Sequence, residues 1–337
     1  MFEQLTRRGL IAAAAVALSG FAAAQQAPIV IKFSHVSTTM SPKHLAAEYF
    51  KKLAEENTHG RVKVEVYSNS TLYKDKEELE ALQLGAVQMV SPAPGKFSSM
   101  GLRDFEVFDL PYLFDNDDQV HLVTEGPIGK RLLAQLEPKG LKGLAFWDNG
   151  FKQMSANRPL KTPEDFKGLK MRIFGSKVLD AEMRSLSAIP QVLAANDIYT
   201  SMQTGLVDGG ENPVTTFNEF RLYEVQKYLT LSNHGYVGYV VVTNKKFWDG
   251  LPPDIRAILD DAVAKSALYE NALAKKQGED VLAALRKIDR LQVLTLTPAE
   301  HDAWKKAMFT SHAAVADRIS KDLLQSIYKT TGNTVAP

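Results

Sequence analysis

Residues 148–174, DNGFKQMSANRPLKTPEDFKGLKMRIF, decide how this chain is built. Asn149-Gly150 is a turn signal, and it launches a short run that carries Lys152. After the polar break Asn157-Arg158-Pro159, the tetrad Thr162-Pro163-Glu164-Asp165 supplies an N-cap residue, a proline at the first helical position and two acids in the first turn. Each is a helix start signal, because cap oxygens and acids meet the unpaired N–H groups at the positive end of the helix dipole. Gly168 stops the helix, and Leu169–Phe174 alternates like a strand that carries Arg172. The expectation is two strands, each bearing one cation, joined by one turn of helix. Facing one cleft, Lys152 and Arg172 form an anion receptor; facing water, they are ordinary surface charges.

Towards the N-terminus, the apolar run Pro28–His35 predicts a buried strand. Ser41-Pro42 opens a helix to about Asn57, Val62–Tyr67 alternates as a second strand, Glu77–Leu84 is helical, and Val87–Val90 is a third strand. Strand–helix alternation of this kind predicts an open parallel sheet, whose ligands bind beyond the carboxyl ends of the strands. Those loops carry His35, Ser41–Lys43 and Ser91–Lys96. The aromatic stretch Phe105–Phe114 reads as a buried connector, and a helix at about Pro127–Leu136 leads to a strand at Gly143–Trp147. Asp115, Asp117 and Asp118 read as a solvated acidic turn, since the EF-hand glycine and glutamate positions fall on Val120 and Gly126.

Towards the C-terminus, a helix at Val178–Ser187 is followed by one capped by Asn196 and ended by Gly205. Leu206–Pro213 has an apolar start and a turn-rich, polar finish, and Tyr228–Val242 contains a strand. One helical pattern of unusual length, Asp254 to about Lys287, is interrupted only by Gly278 and is long enough to reach across two domains. A strand (Leu291–Leu296), a capping sequence (Thr297–Glu300) and helices to about Lys329 close the chain. The fold class is α/β, in two lobes with several crossings between them.

The formal charge is +1, and Arg7, Arg8 and Glu3 near the N-terminus account for it. A balanced chain without a basic run has no footprint for nucleic acid or anionic membrane. The absence of cysteine excludes disulfides, thiolate nucleophiles and cysteine-based metal sites. Arg7-Arg8, the apolar run Leu10–Leu18 and Ala22-Ala23-Ala24 have the order of a secretory signal peptide over residues 1–24, exported by a general or twin-arginine route. The expected location is periplasmic. No P-loop, G-x-G-x-x-G, G-x-S-x-G or H-E-x-x-H occurs, and no histidine has metal-ligand spacing, so binding without turnover, cofactor or metal is the expectation.

Several blocks in order, NGFKQMSANRPLKTPEDFKGLKMRI (149–173), QTGLVDGGENP (203–213), Leu222–Tyr228 and Ser232-Asn233-His234, resemble the substrate-binding proteins of tripartite ATP-independent periplasmic (TRAP) transporters, of the dicarboxylate-binding type. The resemblance covers essentially the whole mature chain. It implies a periplasmic-binding-protein clamshell with a long helix shared by both lobes, capture of a small organic acid between them, and delivery to the membrane permease subunits. The lobes would comprise 25–150 with about 239–278, and 151–238 with about 279–333. The family's carboxylate-binding arginine falls on Arg172, its second cation on Lys152, its ligand-side asparagine on Asn212 and its first-lobe loop contact on His35. Lysine at 152 is a departure from the arginine of many members, and it loses the bidentate fork. His35 and Ala195 stand where sialate binders have an asparagine and an aromatic, which argues against a sugar acid.

Lys43 and Lys96, on cleft-side loops, are candidates for a second carboxylate, and Ser91, Tyr236 and Tyr239 for hydrogen bonds to ligand. The expected ligand is a C4-dicarboxylate such as succinate, fumarate or malate, bound by a monomer. Other readings are a binder of a 2-oxo, aromatic or sugar acid, a receptor that presents ligand to a sensor kinase, and an enzyme on a similar scaffold.

Overall fold

The computed structural model describes residues 27–333; the expected signal peptide lies outside them. Ten strands run β1 (Ile29–Ser34), β2 (Val62–Tyr67), β3 (Met89–Val90), β4 (Leu141–Ala156), β5 (Lys170–Ile173), β6 (Ile189–Val192), β7 (Gly209–Pro213), β8 (Tyr228–Leu231), β9 (Tyr236–Asn244) and β10 (Gln292–Thr295). Their order is β2-β1-β3-β9-β4-β7-β5-β6, with β8 on β4 and β10 on β8. The parallel β2-β1-β3 unit matches the sequence expectation, and Ile31 and Phe33 of β1 are fully buried beneath the helix Pro42–Asn57. That helix starts where expected, with the Ser41 hydroxyl accepting the His44 N–H at 3.1 Å, and it buries Ala46, Ala47, Phe50 and Ala54 on one face.

β4 departs from the expectation of a turn at Asn149-Gly150. It is one sixteen-residue strand. The register against β9 shifts between Asp148 and Gly150, and Gly150 takes φ 121°. The Asn-Gly signal thus makes a bulge, which bends a strand without ending it. Leu141–Phe151 pair with β9, whereas Lys152–Ala156 pair with β7 and Met154–Ala156 with β8. A single strand therefore passes from one sheet to the other, and Asn149 sits at the crossing.

β7 is the second departure. Gly209–Pro213 looked like a polar turn and is a fully buried strand. A Cβ on Gly209 would lie 2.1 Å from the Ser155 carbonyl oxygen, so glycine there permits close approach to β4. Asp117 and Asp118 are likewise not a free turn; they form the first turn of a helix, Asp117–Thr124, capped by Asn116.

The long helix is present as Pro253–Leu285, 33 residues, or roughly 50 Å at 1.5 Å per residue. Ile255, Leu259 and Ala262 pack with Phe50 and Trp147, while Leu285 at the far end packs with Ile198 and Leu229. One helix thus contributes to two cores. Gly278 does not break it. The last helix, Lys321–Thr331, buries Leu323 and Ile327 with Val120, Val123 and Leu132, on the side of the first sheet and not with 279–310.

Candidate ligand-binding site

A cavity of about 70 Å³ lies between the loops after β1 and β3 on one side and β5 and β7 on the other. Bonds across its rim tie the two sides together. Glu219 accepts the Thr38 N–H, the Ser70 hydroxyl donates to Asn196 Oδ1 at 2.9 Å, and Asn196 Nδ2 reaches the Asn69 carbonyl at 3.4 Å. Asn196 therefore spans the cleft instead of capping the following helix, which has no side-chain cap bond.

Of the residues singled out from sequence, Arg172, Asn212, Lys43, Lys96 and Tyr239 line this cavity. Arg172 projects from β5 and is 4% exposed. Its Nε and Nη2 both donate to the Leu193 carbonyl, at 3.1 and 2.9 Å, which fixes the plane of the guanidinium. The remaining N–H groups are those available to a carboxylate. Burial lowers its pKa to about 10, with Asp75 and Glu211 pulling the other way, so the cation persists at neutral pH. Asn212, on β7, is equally buried, and its Nδ2 has no hydrogen-bond partner. A buried amide donor facing a cavity without an acceptor calls for one from a ligand.

Lys43 lies on the opposite wall. Its ammonium donates to the Ser91 carbonyl at 3.1 Å and sits 3.3 Å above the Tyr239 ring centroid. Burial lowers its pKa to about 8, against the attraction of Glu78. Lys96 is ion-paired to Asp75 and lies 3.8 Å from Glu78. The Tyr239 hydroxyl meets Asn149 Nδ2 at 2.7 Å, and Asn149 in turn bonds Thr215 and Thr216 on the other side of the crossing.

Lys152, His35, Ser91 and Tyr236 are placed outside the cavity lining. Lys152 lies behind it, 1% exposed, with its ammonium 2.8 Å from Glu211 and 3.6 Å from Glu182. Burial pulls the Lys152 pKa down, but Glu182 and Glu211 more than offset this and leave it above the ordinary lysine value. Glu211 also accepts from His234 Nε2 at 2.9 Å. Desolvation pushes the Glu211 carboxyl up, yet Lys152 and His234 bring it down to about 2. Glu211 itself lines the cavity, so Lys152 reaches the site through it. Glu182, Glu211 and His234 are close enough to share a metal ion, but the Lys152 ammonium already pairs with both carboxylates.

His35 is fully buried and faces His44 across 3.2 Å. Ser91 contributes its carbonyl to Lys43, and its hydroxyl is unpaired. The Tyr236 hydroxyl donates to Asp148, which also takes His121 at 2.7 Å. Sequence reasoning missed Asp75, Glu211 and Asn149 as cavity residues. Asp75, between Lys74 and Lys76, carries no sequence signal of its own, and Glu211 was hidden in the supposed turn Gly209–Pro213.

The sequence model of bacterial extracellular solute-binding protein family 7 matches residues 33–318. The chain is 52% identical to a C4-dicarboxylate-binding periplasmic protein of Rhodobacter capsulatus over 97% of this chain and 99% of that one. Its fold superposes, at a TM-score of 0.88 and 37% identity, on a TRAP periplasmic solute-binding protein of Shewanella oneidensis solved with succinate, covering 90% of this chain and all of that one. A Pseudomonas aeruginosa counterpart solved with L-malate gives a TM-score of 0.83 at 38% identity, with 85% of this chain and all of that one covered.

Proposed function

The chain belongs to family 7 of the bacterial extracellular solute-binding proteins, and from that premise we propose that it captures a C4-dicarboxylate such as succinate, fumarate or malate and delivers it to a TRAP membrane permease. One carboxylate bridges Arg172 and the unpaired Asn212 amide; the other lies towards Lys43 and Lys96. The observation that carries this reading is the buried Nδ2 of Asn212, without a protein acceptor, on the wall that Arg172 also lines. A guanidinium already flattened against the Leu193 carbonyl loses little freedom on taking a carboxylate, so binding energy is available for closure of the two lobes. Contacts across the cleft, such as Thr38–Glu219, then favour the bound state.

Residues 27–150 with about 239–278 form one lobe in this reading, joined by the C-terminal helix, and 151–238 with about 279–310 the other. The ligand is bound and released without chemical change, by a monomer exported to the periplasm. No described helix is long and apolar enough to cross a membrane. A thermal-shift screen over dicarboxylates, 2-oxo acids and sugar acids tests the assignment. Succinate or malate raises the melting temperature of the native protein, and Arg172→Ala keeps the fold but loses that rise. An undiminished rise in Arg172→Ala would sink the reading.

A further inference from the structure

Asp75 is an acid among the cations of the cavity wall. It lines the cavity with Lys43, Lys96 and Arg172 and is ion-paired to Lys96. Its side chain is 9% exposed. Desolvation works against its charge, but Lys96, Arg172 and Lys43 together hold it below the usual aspartate range, so the carboxylate is ionised. Three cations therefore converge on an anion that belongs to the protein itself.

The charges around the cavity bear on what else can enter. Glu211, the other acid on the wall, is matched by Lys152 directly behind it at 2.8 Å. Glu78, 3.8 Å from Lys96, is pushed up to about 7 by burial, and Glu219 beside Thr38 is also raised by burial. Asp75 offsets one of the three lining cations, which leaves the surplus suited to a dianion.

We propose that Asp75 sets the charge selectivity of the cavity: its carboxylate fills the position that a third carboxylate of the ligand would take, so the site accepts dicarboxylates and rejects tricarboxylates. The proposal rests on the dicarboxylate reading above. Rejection has two components, occupied space and like-charge repulsion, and both act more strongly against a third carboxylate than against the first two. A role limited to holding Lys96 in place would weaken binding of di- and tricarboxylates alike.

The test compares succinate with propane-1,2,3-tricarboxylate by calorimetric titration at about pH 7.5, where both are fully ionised. Wild type, Asp75→Ala and Asp75→Asn are each checked for folding by circular dichroism. Wild type binds succinate and discriminates strongly against the tricarboxylate. Asp75→Ala removes charge and opens space, and shifts the affinity ratio at least about tenfold towards the tricarboxylate. Asp75→Asn keeps the volume and shifts the ratio the same way by less, which preserves the test if the alanine variant fails to fold. A ratio unchanged in both variants, with wild type binding succinate normally, overturns the role of Asp75 alone. Failure of wild type to bind any dicarboxylate overturns the parent reading instead.

Discussion

Replacing Lys152 with methionine tests the buried network behind the cavity. The ammonium lies 2.8 Å from Glu211 and 3.6 Å from Glu182, and all three side chains are at most 1% exposed. Glu211 is held at about 2 against an ordinary 4.5, which at 1.36 kcal/mol per unit corresponds to about 3 kcal/mol. Its folded pKa is depressed, so this contribution is complete above about pH 4.5 and is lost as pH falls towards 2. Removing one partner of a buried pair costs ~3–5 kcal/mol, because the other charge is stranded. Lys152→Met is therefore expected to lose that amount in urea unfolding at about pH 7.5.

The sign of the pH dependence then reverses for Glu211. Without the lysine, its carboxyl is raised by burial among Glu182 and Asp109, so the variant regains stability as pH falls through the new value. The deficit relative to wild type should shrink by at least ~1 kcal/mol at about pH 5.5. Lys152→Met with Glu211→Gln should recover most of the loss, since a neutral amide replaces the stranded charge. A deficit equal at both pH values, together with a double variant as unstable as the single, would refute this account of Lys152.

Lys43, pushed down to about 8 by burial, should lose its charge as pH rises, and succinate affinity measured between about pH 6.5 and about pH 9 should fall through that value. Lys43→Arg should remove the break. Gly209→Ala places a Cβ 2.1 Å from a backbone oxygen that cannot move, and should cost on the order of 3 kcal/mol in urea unfolding. Asn196→Ala removes the 2.9 Å bond to Ser70 across the rim; stopped-flow kinetics should show succinate leaving several-fold faster with little change in its on-rate.

Where apolar periodicity and caps agreed, the fold was legible in the sequence. Ser41-Pro42 opens its helix, the Thr297–Glu300 capping box is formed, and the pattern at Asp254–Lys287 becomes one helix at Pro253–Leu285. Signals that serve tertiary packing were misread. Asn149-Gly150 and Gly209-Gly210 look like turns because glycine is permissive, yet one makes a bulge and the other lets two strands touch. Arg172 and Asn212, which the family resemblance singled out, line the cavity. Lys152, expected from sequence at the ligand, lies behind the cavity, because its face depends on Glu182, thirty residues away. Asp75 was invisible for the same reason: its meaning comes from Lys96 and Arg172, which only folding brings near it.

The most direct measurement is a crystal structure of the protein with succinate. One carboxylate should lie within about 3 Å of both the Arg172 guanidinium and Asn212 Nδ2, with the other on the Lys43 and Lys96 side. Succinate bound elsewhere, or bound in the cavity with Asn212 Nδ2 still unpaired, would contradict the account.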